Sequence, residues 1–189
     1  NVKKIFMADY VRSNLAEIDN WIEHNKNAHD WNNYVRGFLK LEKSDTLSLV
    51  KKRVQEFKKK LVKLVLCDIL KKRPLLDKQL SGKVFSLVTS FYCLECATNS
   101  KRQWKEVMKN VSPLVSQGGW IVMSALRNTN HYLVNGKRFP SANISEKDVY
   151  CSLIDNGFDP NTIKIEVHKV NEWTSEGFSS IIICCAQKA

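Results

Sequence analysis

Two short apolar runs, KKIFMA (residues 3–8) and LVKLVLCDI (residues 61–69), each lead into an aspartate, Asp9 and Asp68. Runs this short and dense read as strands buried on both faces. Helical patterns stand between them. Leu15, Ile18, Trp21 and Ile22 recur at spacings of three and four, with Ser13 or Asn14 placed to cap the helix. Trp31, Val35, Phe38 and Leu39 form a second stripe, and Leu47, Val50, Val54, Phe57 and Leu61 a third. The far side of that third helix carries Lys51, Lys52, Arg53, Lys58, Lys59 and Lys60, a solvated basic face. Strands joined through helices form parallel pairs, so the pattern points to an α/β fold.

The rest of the chain extends this reading. Residues 84–92 (VFSLVTSFY) and 120–126 read as further strands. Residues 99–116 read as an amphipathic helix with Trp104, Val107, Met108, Val111, Leu114 and Val115 on one stripe, stopped by Gly118 and Gly119. Residues 132–134 and 137–139 flank Asn135-Gly136, a hairpin signal. A helix over 145–156 opens with a capping box, Ser145 and Asp148, and ends at Gly157. Residues 163–170 and 178–186 are the last strands. With no helix between them, they should pair antiparallel. No repeat, low-complexity tract or linker divides the chain, so residues 1–189 should form a single domain.

The hydrophobic fraction, 43%, excludes disorder, and no apolar stretch approaches a membrane span. Lys plus Arg number 30 against 19 acidic residues, a formal charge of +11 that invites a nucleic-acid reading. The basic helix face carries no aromatic platform for bases, however, and reads as ordinary surface. Of six cysteines, Cys93 and Cys96 form a C-x-x-C with no second pair at zinc spacing, and the four histidines are scattered. No metal site is expected, and reduced thiols suit a cytoplasmic location. Asn110 and Asn143 stand in glycosylation-type triplets that carry little weight without a secretory signal.

In open α/β sheets, ligands bind beyond the carboxyl ends of the strands. A carboxylate there accepts from a ribose diol or from the exocyclic amine of a base, although one aspartate after a strand is ordinarily a turn or helix cap. The segment SFYCLEC (residues 90–96) places Glu95 among apolar neighbours, where an acid needs a partner such as an amine. A dinucleotide-type site also needs a glycine-rich turn roughly 20 residues before the first aspartate. Eight residues precede Asp9. Either the fold is not of this type or its first strand and glycine loop lie outside the sequence.

The motifs ADYVRSN (8–14), HDWNNYV (29–35), LVLCDI (64–69), VTSFYCLECA (88–97), SQGGWIVMSAL (116–126), YLVNGKRF (132–139) and NGFD (156–159) occur in that order. Together they resemble the nicotinamide, phenylethanolamine and indolethylamine N-methyltransferase family across essentially the whole chain. The resemblance implies a class I methyltransferase, a Rossmann-like and mostly parallel sheet with helices on both faces and an antiparallel C-terminal pair. It implies S-adenosyl-L-methionine as cofactor and a small amine or pyridine as substrate. It also implies a cytoplasmic monomer that needs no metal, nucleic acid or membrane. Carried over by position, Asp9 would bind the ribose hydroxyls, with Asn14 beside the cofactor. Asp68 and the backbone of Ile69 would read the adenine, and Phe91 would line the methionine end. Tyr132 and Ser141 fall in the hairpin that covers the substrate, and Glu95 is the acid expected to assist catalysis. Ser124 stands where nicotinamide enzymes carry an aspartate, and Arg127 where phenylethanolamine enzymes carry a glutamate. The first strand and glycine loop of the fold are absent, so the chain is expected to be a fragment, inactive alone. A relative that keeps the fold without binding cofactor, and a basic nucleic-acid-binding module, are the alternatives.

Overall fold

The computed structural model describes residues 2–44 and 46–189. They fall into two compact units, Asn1–Asp68 with Leu75–Gln79, and Ile69–Pro74 with Leu80–Ala189.

The first unit follows the opening pattern. It contains β1 (Ile5–Asp9), α1 (Arg12–Ile22), α2 (Asn32–Leu41), α3 (Leu47–Lys60) and β2 (Leu61–Leu66). The strands pair in parallel, with Asp9 opposite Leu66. Neither Ser13 nor Asn14 caps α1. The cap position is Val11, whose side chain has nothing to offer, and Asn14 lies within the first turn. Asp9 does the work from outside the helix, accepting from the Val11 N–H at 2.7 Å and the Asn14 amide at 3.1 Å. One lysine of the basic face also departs from the solvated reading. Lys58 donates to the carbonyls of Trp21 and Ile22 at the end of α1, and its ammonium lies 4.5 Å over the Trp21 ring. A cation at a helix C-terminus meets carbonyls that lack intrahelical partners.

The second unit holds β3 (Phe85–Phe91), α4 (Lys101–Val111), β4 (Val115–Leu126), β5 (His131–Val134), β6 (Lys137–Pro140), α5 (Glu146–Asp155), β7 (Lys164–Lys169) and β8 (Ser180–Gln187). Its four-stranded sheet runs β3-β4-β8-β7. The β3–β4 pair is parallel, like β1–β2, and β7 and β8 form the expected antiparallel pair, with β8 also antiparallel to β4.

Helix α4 ends earlier than its apolar stripe suggested. It stops at Val111, and a 3-10 turn, Ser112–Leu114, leads straight into β4. Pro113 is the reason, because a proline ring blocks continuation of the helix and brings no N–H. Gly118 and Gly119 are therefore not a helix stop. They lie inside β4, where the register against β3 shifts between Phe85 and Leu87. Gly118 adopts φ +69°, and a Cβ on Gly119 would fall 2.8 Å from Ser116 Oγ and 3.1 Å from the Ser86 carbonyl.

The core of this unit gathers Trp104, Val107, Met108 and Val111 of α4, Ile121 and Met123 of β4, Val149 and Leu153 of α5, and Ile182 of β8, with Ile144 and Phe158. Each large side chain buried in this way contributes about 1.5–3 kcal/mol. The capping box at Ser145 and Asp148 is formed as expected. Asn135 and Gly136 take φ +50° and +74°, the left-handed pair that a two-residue hairpin turn between β5 and β6 requires.

Candidate active site

The residues expected to hold the cofactor divide between the two units. In the first, Asp9 ends β1 half-buried, and its carboxylate is already oriented by Val11 and Asn14. Each oxygen keeps a further lone pair, so the group can still accept from a ligand. Asp68 follows β2, also half-buried. In the second unit, Ile69 has its carbonyl held at 3.0 Å by the Asn110 side chain of α4. Asn110 had drawn notice only for its glycosylation-type triplet. The better signal is a polar side chain directly beside the apolar position Val111. Phe91 closes β3 and is 58% exposed. The next residue, Tyr92, adopts φ +50°, rare for an aromatic residue, and its N–H donates to the Ser124 carbonyl at 3.0 Å.

The acceptor-end candidates are tied together within the second unit. Glu95 is fully buried. Its Oε1 accepts from the Leu126 N–H at 2.9 Å and from the Cys96 thiol at 3.4 Å. Its main-chain carbonyl accepts from Ala142, next to Ser141, at 3.1 Å. Ser124 lies two residues before Leu126 on β4, and Ser141 follows β6 directly. Three buried polar atoms of this group have no hydrogen-bond partner: Glu95 Oε2, Ser124 Oγ and Ser141 Oγ. Buried polar groups are nearly always paired, because an unpaired one forfeits its hydration. Tyr132 on β5 stacks on Phe139 of β6 at 5.5 Å.

Electrostatics sharpen the picture. Burial pushes the Glu95 carboxyl above its ordinary range, and hydrogen bonds led by the Leu126 N–H pull it part of the way back. Burial, then the neighbouring Glu95, pushes the Cys96 thiol up as well, so this thiol stays protonated. Arg127 directly follows Leu126, whose N–H binds Glu95, but its guanidinium is not directed at that acid. Its guanidinium binds Glu146 of α5 through two bonds of 2.7 and 2.9 Å. That pairing holds the Glu146 carboxyl down at about 2. The site therefore holds one buried acid whose own guanidinium neighbour is engaged elsewhere.

Among the described residues, no group of His, Cys, Asp and Glu is arranged to hold a metal, and no helix is long and apolar enough to cross a membrane.

This arrangement stands on a fold shared with known methyltransferases. An S-adenosylmethionine-dependent methyltransferase from Clostridium acetobutylicum superposes with a TM-score of 0.51 over 99% of this chain and 76% of that one, at 14% identity. The sequence profile of the NNMT/PNMT/TEMT family matches residues 1–189, and the chain belongs to that family. It is 24% identical over 155 residues to indolethylamine N-methyltransferase of Mus musculus, covering 82% of this chain and 57% of the relative. It is 26% identical over 157 residues to nicotinamide N-methyltransferase of Homo sapiens, covering 82% and 58%. Against phenylethanolamine N-methyltransferase of Rattus norvegicus the identity is 20% over 185 residues, covering 97% and 64%. The chain thus spans somewhat under two thirds of the length of these relatives.

Proposed function

We propose that this chain is part of a cytoplasmic, single-domain N-methyltransferase that moves a methyl group from S-adenosylmethionine to a small amine or ring nitrogen. The observation that carries the reading is the buried trio of unpartnered atoms, Glu95 Oε2, Ser124 Oγ and Ser141 Oγ. Unmade hydrogen bonds on the segments assigned to the acceptor support a polar ligand there, and the family of the chain is one whose relatives are named for nitrogen methylation.

Asp9 and Asn14 are assigned to the ribose, Asp68 and the Ile69 backbone to the adenine, and the Phe91 backbone to the methionine end. S-adenosylmethionine supplies a sulfonium methyl group that a neutral nitrogen can take in an in-line displacement, releasing the thioether. Tyr132, Ser124 and Ser141 orient the acceptor, and orientation alone supplies a large share of the acceleration in such transfers. Glu95 is assigned to the positive charge that develops on nitrogen, and its full burial supports this because a fixed acid counts for more in dry surroundings. With no carboxylate at Ser124 or Arg127, Glu95 is the one acid assigned to the acceptor.

The test, made on the complete protein that contains this chain, is binding of S-adenosylhomocysteine, followed by labelled methyl transfer to nicotinamide, phenylethanolamine and tryptamine. Transfer to any of them, with Glu95→Gln lowering kcat/KM about tenfold or more, supports the reading. An unchanged kcat/KM in that variant removes Glu95 from the mechanism. Absence of S-adenosylhomocysteine binding would favour the non-catalytic alternative.

A further inference from the structure

The acid at the centre of this reading is held by a residue to which the reading gave no task. Glu95 belongs to a turn pinned on both sides. Its carbonyl accepts from the Ala142 N–H at 3.1 Å and from the Thr98 hydroxyl at 3.0 Å. The remaining freedom lies in the carboxyl group. Both the Leu126 N–H and the Cys96 thiol donate to the same oxygen, Oε1. Two donors on one oxygen decide which oxygen stays unpaired, and that one is Oε2. The Tyr132 side chain on the β5–β6 hairpin interacts electrostatically with both Cys96 and Glu95, although it lies far from them in sequence. A thiol suits this place because it is a weak, uncharged donor that tolerates apolar surroundings.

We propose that Cys96 is a positioning residue: its thiol fixes Glu95 Oε1 and thereby presents Oε2 to the nitrogen-bearing group of the methyl acceptor. This rests on the methyltransferase reading, and it adds a specificity device to it.

The experiment compares Cys96→Ala, Cys96→Ser, Tyr132→Phe and Glu95→Gln in the full chain, with nicotinamide and phenylethanolamine as probe acceptors. Cys96→Ala should raise the acceptor KM about tenfold with kcat changed far less, and leave S-adenosylhomocysteine affinity unaltered. Cys96→Ser, which keeps a donor, should return KM to within about twofold of the parent. Tyr132→Phe should move KM in the same direction as Cys96→Ala. Independently of turnover, carbon-13 NMR of the Glu95 carboxyl should show its titration midpoint rising in Cys96→Ala and returning in Cys96→Ser. The titrating groups facing this carboxyl are Cys96, Cys93 and Tyr132, and the serine variant changes only the first. An unmoved midpoint in Cys96→Ala overturns the proposal whether or not either probe is methylated. If Glu95→Gln raises KM while Cys96→Ala does not, the positioning role alone falls. If Glu95→Gln also leaves KM unchanged, the reading of the site falls with it.

Discussion

The two units use the same local grammar, strand, helix and parallel strand, with different depth of burial. In the first, Leu39, Val50 and Val65 are the fully buried apolar side chains among the described residues, and α1 buries none. In the second, one continuous core runs from Leu94 to Ala186, and α4 alone buries Trp104, Val107, Met108 and Val111. The candidate site residues follow the same division. Asp9 and Asn14 are bound to each other near the surface, whereas Glu95, Ser124 and Ser141 are sunk in the core with bonds unmade. A partly exposed carboxylate depends on local partners for its orientation. A buried acid depends on packing, and it makes the surrounding unit sensitive to its charge.

The contrast can be broken most sharply in the core. Trp104→Ala should cost about 3–5 kcal/mol in denaturant unfolding followed by a probe in the second unit. Val50→Ala, the equivalent test in the first, should cost roughly 2 kcal/mol from the two methyl groups removed. A loss at Val50 as large as that at Trp104, although far less volume is removed, would show that the smaller core of the first unit is the less tolerant of a cavity.

The next effect is a pH dependence of one sign. Burial raises the folded-state value of Glu95 above its ordinary 4.5, so the folded chain holds this proton more tightly than the unfolded chain. The resulting stability is complete below the ordinary value and is lost as pH rises through the raised one. Denaturation midpoints of the second unit should fall over that interval, and Glu95→Gln should flatten the curve. A parent curve that is already flat would show that the acid is better solvated than its burial indicates.

Smaller effects separate the helices. Ser145→Ala removes the capping box of α5 and should cost about 1 kcal/mol, read as a shift in midpoint. Helix α1, with Val11 at its cap position, has no such side chain to lose. The Arg127–Glu146 pair is the mildest case. Its contribution is present above the ordinary carboxylate value of 4.5 and is lost as pH falls toward about 2. Because Glu146 is 43% exposed, Arg127→Ala should change stability by less than about 1 kcal/mol. A larger loss would show that the guanidinium has a second task at the site.

Much of this was legible from residue spacing. The stripe of α4 up to Val111, the capping box of α5 and the Asn135-Gly136 turn each depend on contacts a few residues apart, and each stands where it was read. Errors came where one local signal overrode another. Pro113 ends α4 before the apolar stripe does, and Gly118 and Gly119 serve a strand irregularity, not a helix stop. Asn14 looked like a cap because it is polar and near a helix start, yet its amide is committed to Asp9. At the candidate site, the sequence offered candidates but not their bonds. The Cys96–Glu95 contact is local, but the Leu126, Ala142 and Tyr132 contacts come from elements more than thirty residues away in sequence, and spacing carries no record of them.

The position of β8 bears on how the second unit assembles. It is the last strand in sequence, yet it lies between β4 and β7. Strand β7 reaches the sheet only through β8, and the partner on the other side, β4, ends at Leu126, far upstream of Ser180. Closing a loop that long must precede the hydrogen bonds that reward it, and non-local pairings of this kind slow folding. Until that happens, β4 presents an unpaired edge through Ile121, Met123 and Ala125, the same strand that supplies Ser124 and the Leu126 amide to the candidate site. The acceptor end of the site should therefore be among the last parts of the unit to order, and during synthesis it is an edge open to mispairing with other chains.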